Sequence, residues 1–425
     1  MNLAEHRISA AAFDELASGA GGTATVEQLK AGQRSKHLLL LRGVLEKTRT
    51  DGHPSWPEVR RAYDLLAGIQ AAHPEAVNAV VHHPSVGAWA RHTIQTLEAP
   101  EQMSALAAAA AIRAGVACDL DVAAMDGVIN LPSLGQFTVG HGVAVATLHC
   151  SPDGVEVSAG GRFLELTDDE PNWRPLRPLS AQADDLRLDV LIDDLDPHRM
   201  PGSDALRDPL TPEEARRWQD LLEEGWDLLV RNHHPVAEEV STAISVFTPL
   251  APPPDGMSSA TSRETFGCIA MSTPPDAHAL AVTLTHETQH AKLSALLDVV
   301  PLTKPDNGAR YYAPWRPDPR PAAGLLQGTY AYVGVTDFWE RQRHLESGEA
   351  AIRANAEFAR WRAGARQVAD TLLDSGALTE PGEVFVRRMA RRLDEWAREP
   401  VPAEAAALAA GAADRHRSLW RERNQ

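Results

Sequence analysis

The chemistry-bearing residues of this chain are concentrated in the pentapeptide His286-Glu287-Thr288-Gln289-His290. Residues four apart stand one above the other on an α-helix. Two imidazoles so placed can share one metal ion, and a carboxylate one residue after the first can address a metal-bound water. Leu280, Val282, Leu284, Leu293, Leu296 and Leu297 flank the motif with helical periodicity. Asp276, after Pro275, is placed to cap that helix. His286 and His290 are therefore the candidate metal ligands and Glu287 the candidate catalytic residue. The longer HExxHxxGxxH pattern fails, because Leu293 stands where its Gly belongs and Leu296 where its last His belongs. A third ligand must come from further along.

The next helical pattern starts after the turn Asp318-Pro319-Arg320-Pro321 and runs from Gly324 through Val333. Helical spacing puts Gln327, Tyr330, Gly334 and Asp337 on one face and Gly328, Tyr332 and Thr336 on the adjacent one. The glycines would let two helices approach closely. Gln327, Tyr330 and Tyr332 are polar groups on an apolar helix, suited to a ligand or substrate, or to satisfying buried backbone. Glu340 and His344 have ligand chemistry but read as part of a solvated face. Between the two helices lies a Pro-rich loop in which Arg310, Arg316 and Arg320 alternate with Tyr311, Tyr312 and Trp315. Guanidinium groups suit bidentate carboxylate recognition; the alternative is a structural loop whose arginines stack on its own aromatics. Upstream, Ser262 and Arg263 lead into a strand pattern, Phe266–Met271. A strand edge beside an HExxH helix is how zinc peptidases lay out a peptide. Ser262, Arg263, Tyr312, Trp315, Tyr330 and Tyr332 are accordingly the candidate substrate contacts.

Three textures must position these residues. Residues 8–125 are rich in Ala and Leu and read as helices. From about 127 to 195, short β-branched runs alternate with Gly and Asp turns, as in an antiparallel meander. Helix returns at Thr211-Pro212-Glu213-Glu214, which has the form of a capping box. The expected organisation is a helical region (1–126), an antiparallel β region (127–200) and a catalytic region with C-terminal helices (201–425). The fold class is α+β and mostly α-helical, with no cupin barrel. The tail from 400 onward is expected to fray. His82-His83 and His233-His234 read as surface or helix-end residues, and His141, His149 and Cys150 as structural.

Composition narrows the function classes. The chain has 425 residues, 44% of them hydrophobic, enough for a sizeable core. Its 58 acidic residues outnumber 41 Lys and Arg, for a net charge of -17. That excludes a generally basic, nucleic-acid-binding surface. Three cysteines, widely spaced, make neither a disulfide scaffold nor a CxxC zinc site. Met1–Arg7 lacks the basic-then-apolar order of a secretory signal, and no apolar run reaches the ~18 residues of a membrane span. A cytoplasmic protein is expected.

Four stretches, Ser259–Arg263, Thr285–Leu293, Tyr312–Pro321 and Gly324–Ala331, together resemble the HExxH-motif proteins of bacterial peptide-modification clusters. Those occur alone or fused to radical SAM peptide-modifying enzymes. The resemblance extends over nearly the whole chain, with its specific part in 259–345. It implies an iron(II)- and 2-oxoglutarate-dependent dioxygenase that uses O2 to β-hydroxylate a ribosomally made precursor peptide. It further implies that His286 and His290 hold the iron. Arg310, Arg316 or Arg320 would bind 2-oxoglutarate. The family pattern has His where this chain has Tyr332, so the expected third ligand becomes Gln327. The rival reading is a zinc metallopeptidase with Glu287 as general base.

Overall fold

The structure is a computed structural model that describes residues 6–167, 169–206, 208–254 and 256–424; the expectation about Met1–Glu5 lies outside them. Among the described residues there are thirteen α-helices and three small sheets, none closed into a barrel. This is the expected mostly helical α+β class. None of the helices is long and apolar enough to cross a membrane.

The meander forms where the period-two pattern places it. Val145–Ser151, Gly154–Ala159 and Arg162–Glu165 pair antiparallel through the Ser151–Gly154 turn. A fourth strand, Cys118–Ala123, joins its edge and falls within the stretch expected to be helical. Its alternating Asp119, Asp121 and Leu120, Val122 already have strand period, and pairing with Val145–Ser151 buries Val122.

The boundary expected near residue 200 is crossed by a five-stranded mixed sheet. Its order is Arg177–Ala183, Leu186–Ile192, Val246–Pro249, Cys268–Met271 and Ser259–Ala260. The two inner pairings are parallel and the two outer ones antiparallel. The last β strands of the middle region are thus built into the support of the region that carries the HExxH helix. Cys268–Met271 was expected to offer a free edge, but Ser259–Ala260 covers it. Against this sheet packs the helix Pro212–Asn232, burying Trp218, Leu222 and Trp226. Its capping box closes as read: Glu214 N donates to Thr211 Oγ1 at 3.2 Å and Thr211 N to Glu214 Oε2 at 2.7 Å.

The motif helix spans Ala277–Leu297, capped by Asp276 Oδ1 on Ala279 N at 2.8 Å. Alongside lies the facing helix, Ala322–Gln342. Gln289 sits directly on Gly334, where an added Cβ would come within 2.6 Å of the amide side chain. Lys292 is fully buried on the far side of the motif helix; its Nζ donates to Glu239 Oε2 at 2.5 Å and to the Gly19 and Ala20 carbonyls at 3.2 Å. The C-terminal tail does not fray. It forms the helix Ala403–Asn424 and docks on the aromatic loop, with Tyr312 Oη 2.9 Å from His416 Nδ1 and Asn424 Nδ2 donating to Pro317 O at 2.8 Å. His83 and His233 do stand at helix ends, but they are buried rather than on the surface.

Two outcomes follow for stability. Removing one member of a buried ion pair strands the other charge, at a cost of about 3–5 kcal/mol. Lys292→Ala should lose that much in urea unfolding, and Lys292→Met with Glu239→Leu should recover most of it; an unchanged Lys292→Ala would contradict the tether. Burial holds His37, His83, His233 and His286 down to about 4 and His82 to about 3. The unfolded chain, with imidazoles near 6.5, binds those protons first, so stability is lost as pH falls from about 6.5 toward 4. Asp193, pushed up to about 7 by burial and then by Asp196, and Asp337, raised by burial, act in the opposite sense, while His198 and His416, lowered by burial, add to the five. The urea midpoint at about pH 5 should therefore lie below that at about pH 7, and a rise would contradict this balance.

Candidate metal centre

One open cavity of about 750 Å³ lies between the motif helix, the facing helix, the aromatic loop and the Ser259–Ala260 edge strand. The helix face carrying 286, 287, 290 and 294 is turned into it. His286 Nε2 and His290 Nε2 stand 3.1 Å apart, with the rings edge to face. Two ligand nitrogens each about 2.1 Å from one ion lie about 3 Å apart when the angle at the ion is near 95°. The two rings are thus already at ligand spacing. Behind His290, Nδ1 donates to Gln327 Oε1 at 3.1 Å, while Gln327 Nε2 donates to Ser294 Oγ at 3.2 Å. A donor at Nδ1 leaves Nε2 with its lone pair toward the cavity. His286 keeps 22% of its side chain exposed; burial, and then His290, push it down to about 4, so it is neutral at pH 7. The donor set suits a metal ion: two imidazoles and, as the one carboxylate lining the cavity among the described residues, Glu287.

Glu287 is held on both oxygens. Ser259 Oγ donates to Oε1 at 2.7 Å and Thr261 Oγ1 donates to Oε2. Its Oε1 is 4.0 Å from His286 Nε2. The hydroxyls at 259 and 261 are two apart in an extended segment and so point to the same side. This clamp was not foreseen, although period-two hydroxyls beside the motif carried a signal for it. Ser294 was likewise missed; it is four residues past His290 on the same face.

Of the expected contacts, the cavity gathers Arg263, Arg316, Arg320, Trp315, Gln327 and Tyr332. Asp318 bridges two of the arginines, accepting from Arg316 Nε and Arg320 Nη1 at 3.0 Å each. Arg263 pairs with Asp298. Tyr332 stacks between Trp315 at 4.7 Å and Trp361 at 4.2 Å and meets His286 edge-on at 5.2 Å. Burial pushes its hydroxyl up to about 12. Gly328 makes room for the indole of Trp315, whose Nε1 would lie 2.3 Å from an added Cβ.

Four expected site residues lie elsewhere. Arg310 pairs with Asp306 on the outer side of its loop. Tyr312 faces the C-terminal helix, against His416 and Trp420. Tyr330 is fully buried and packs on Phe385, because its side of the facing helix looks into the C-terminal helical core. Ser262 Oγ accepts from Glu264 N in a local turn. Gln327 does reach the site, but its Oε1 meets the outer nitrogen of His290 rather than the Nε2 side expected of a third ligand. Glu340 and His344 come together with Glu399 outside the cavity, where Arg343 also pairs with Glu399.

No known protein family and no curated protein matches this chain.

Removing the group that orients a ligating His typically weakens metal binding 10–100-fold. Gln327→Ala should show that loss against a competing chelator while keeping its circular dichroism; unchanged affinity would contradict the orienting role.

Proposed function

We propose that the chain is an iron(II)- and 2-oxoglutarate-dependent peptide β-hydroxylase acting on a precursor peptide. The observation that carries the reading is the clamp on Glu287. Each oxygen accepts one protein hydroxyl and keeps a further lone pair toward the cavity. The carboxylate is thereby fixed in orientation, which suits a group that positions a ligand better than a base that must swing between water and leaving group.

His286 and His290 would hold the iron, Gln327 would fix the His290 ring, and Glu287, held by Ser259 and Thr261, would orient a ligand or water beside the metal. When bound, iron(II) with 2-oxoglutarate and O2 supplies the oxidising equivalents that turn one peptide C–H into C–OH, with succinate and carbon dioxide leaving. Arg316 and Arg320 supply cationic donors for the distal carboxylate, at the price of sharing Asp318. Trp315 and Tyr332 form an apolar wall that keeps water from the His286 side. The Ser259–Ala260 edge gives an extended peptide a backbone to pair with. A radical SAM enzyme of the same pathway remains the proposed neighbour in the modification sequence.

The same edge strand beside the motif helix favours zinc peptide hydrolysis as the second reading. One experiment separates the two. Anaerobically purified, Fe(II)-loaded protein is mixed with its neighbouring precursor peptide, and oxygen is then admitted. The proposal expects the peptide to gain one oxygen atom only when both 2-oxoglutarate and O2 are present, with loss of the product in His286→Ala. Zinc-dependent cleavage indifferent to oxygen and abolished in Glu287→Gln would replace it.

A further inference from the structure

On another side of the molecule, the long helix Gly22–Thr50 turns Lys30, Gln33, Arg34 and His37 toward a second cavity of about 320 Å³. These positions follow i, i+3, i+4 and i+7, so four polar residues share one helix face. In an ordinary globular helix such a face is solvated. Here Gln33 and His37 are buried, with 4% of each exposed. Other segments complete the walls: His82 and His83 between two helices, Arg113 at a helix end, and Leu191, Val246 and Phe266 from the region of the mixed sheet.

Charge singles this cavity out. Among the described residues its lining contains no carboxylate, although the chain as a whole carries -17. It has three fixed cations. Lys30 donates to Thr242 O at 2.9 Å and lies 3.6 Å from Glu27. Arg113 donates to Ser133 through Nε and Nη2. Arg34 is exposed and makes no hydrogen bond or ion pair with another described residue. The histidines are under-satisfied. His82 Nε2 is buried without a hydrogen-bond partner; His83 Nε2 also lacks one, but it faces the equally unpartnered Asp193 Oδ2 at 3.8 Å. His83 is 96% buried by its 4% exposure. Burial keeps His37, His82 and His83 neutral at pH 7. His37 Nδ1 donates to Val81 O and His83 Nδ1 to Ser85 Oγ, so only His82 has a ring N–H to offer, and the fixed charge comes from Lys30, Arg34 and Arg113. Buried polar atoms without partners are rare and ask for a ligand or water.

We infer that this second cavity binds a small organic anion, its carboxylate or phosphate toward Lys30, Arg34 and Arg113 and its apolar body toward Leu191, Val246 and Phe266. The volume is at the lower end of small-molecule sites. No lining residue is shared with the metal cavity. The two are joined through Gln33, whose Nε2 donates at 2.8 Å to Asp298, the partner of Arg263. The inference concerns binding and stands whether or not the proposed hydroxylation does.

The test is calorimetric titration of the full chain with phenyl phosphate, phenylacetate and the neutral analogue benzyl alcohol at low salt. Saturable binding of either anion is expected, without binding of the alcohol. Comparing the two anions tells phosphate from carboxylate. Arg34→Gln, at an exposed position, should weaken it about tenfold, and His286→Ala should leave it unchanged. Three results would overturn the inference: no saturable binding of either anion to folded protein, equal binding of the alcohol, or loss of binding in His286→Ala with none in Arg34→Gln.

Discussion

A pair of imidazoles four residues apart can share an ion only if the helix carrying them is fixed in rotation and depth. A rotation of some tens of degrees would turn one ring out of the cavity. The opposite side of the motif helix supplies that constraint. Lys292 is buried against Glu239 and the Gly19–Ala20 carbonyls, and Gln289 lies on Gly334 while donating to Gly19 O at 2.7 Å. Unpaired, the Lys292 charge would be costly in that interior. It therefore tolerates few rotations of the helix. The N-terminal segment, remote in sequence, in this way helps to fix the two imidazoles.

The walls of the cavity depend on a second set of close approaches. Trp315 fits because residue 328 is glycine, and Tyr332 is then stacked between two indoles. The loop that carries Arg316 and Arg320 is held from outside by the C-terminal helix, through His416 and Asn424. What looks in sequence like an unattached tail thus sets the position of the cationic wall.

Local signals in the sequence were reliable where local chemistry decides the structure. The Asp276 cap, the Thr211–Glu214 box, the Ser151–Gly154 turn and the helical spacing of His286 and His290 all take the form that their residue types dictate. Readings failed where a distant segment chooses. The parallel pairing of Leu186–Ile192 with Val246–Pro249 joins two regions that composition separates. Tyr330 and Gln327 share an apolar-helix context, yet the packing of Phe385 takes one and His290 the other. Arg310 and Arg316 look alike in sequence; only the fold of the loop puts one at Asp306 and the other in the cavity. The period-two hydroxyls of Ser259 and Thr261 signal a shared face, but that this face meets Glu287 depends on the edge strand lying beside the motif helix, which no local pattern specifies.

The central claim is that His286 and His290 hold one metal ion through their Nε2 atoms. X-ray absorption of the Fe(II)-loaded protein tests it most directly. The account predicts two imidazole nitrogens at about 2.1 Å, one fewer in His286→Ala or His290→Ala, and no ordered site when both are replaced. Iron bound with an unchanged spectrum in the doubly substituted protein would contradict it.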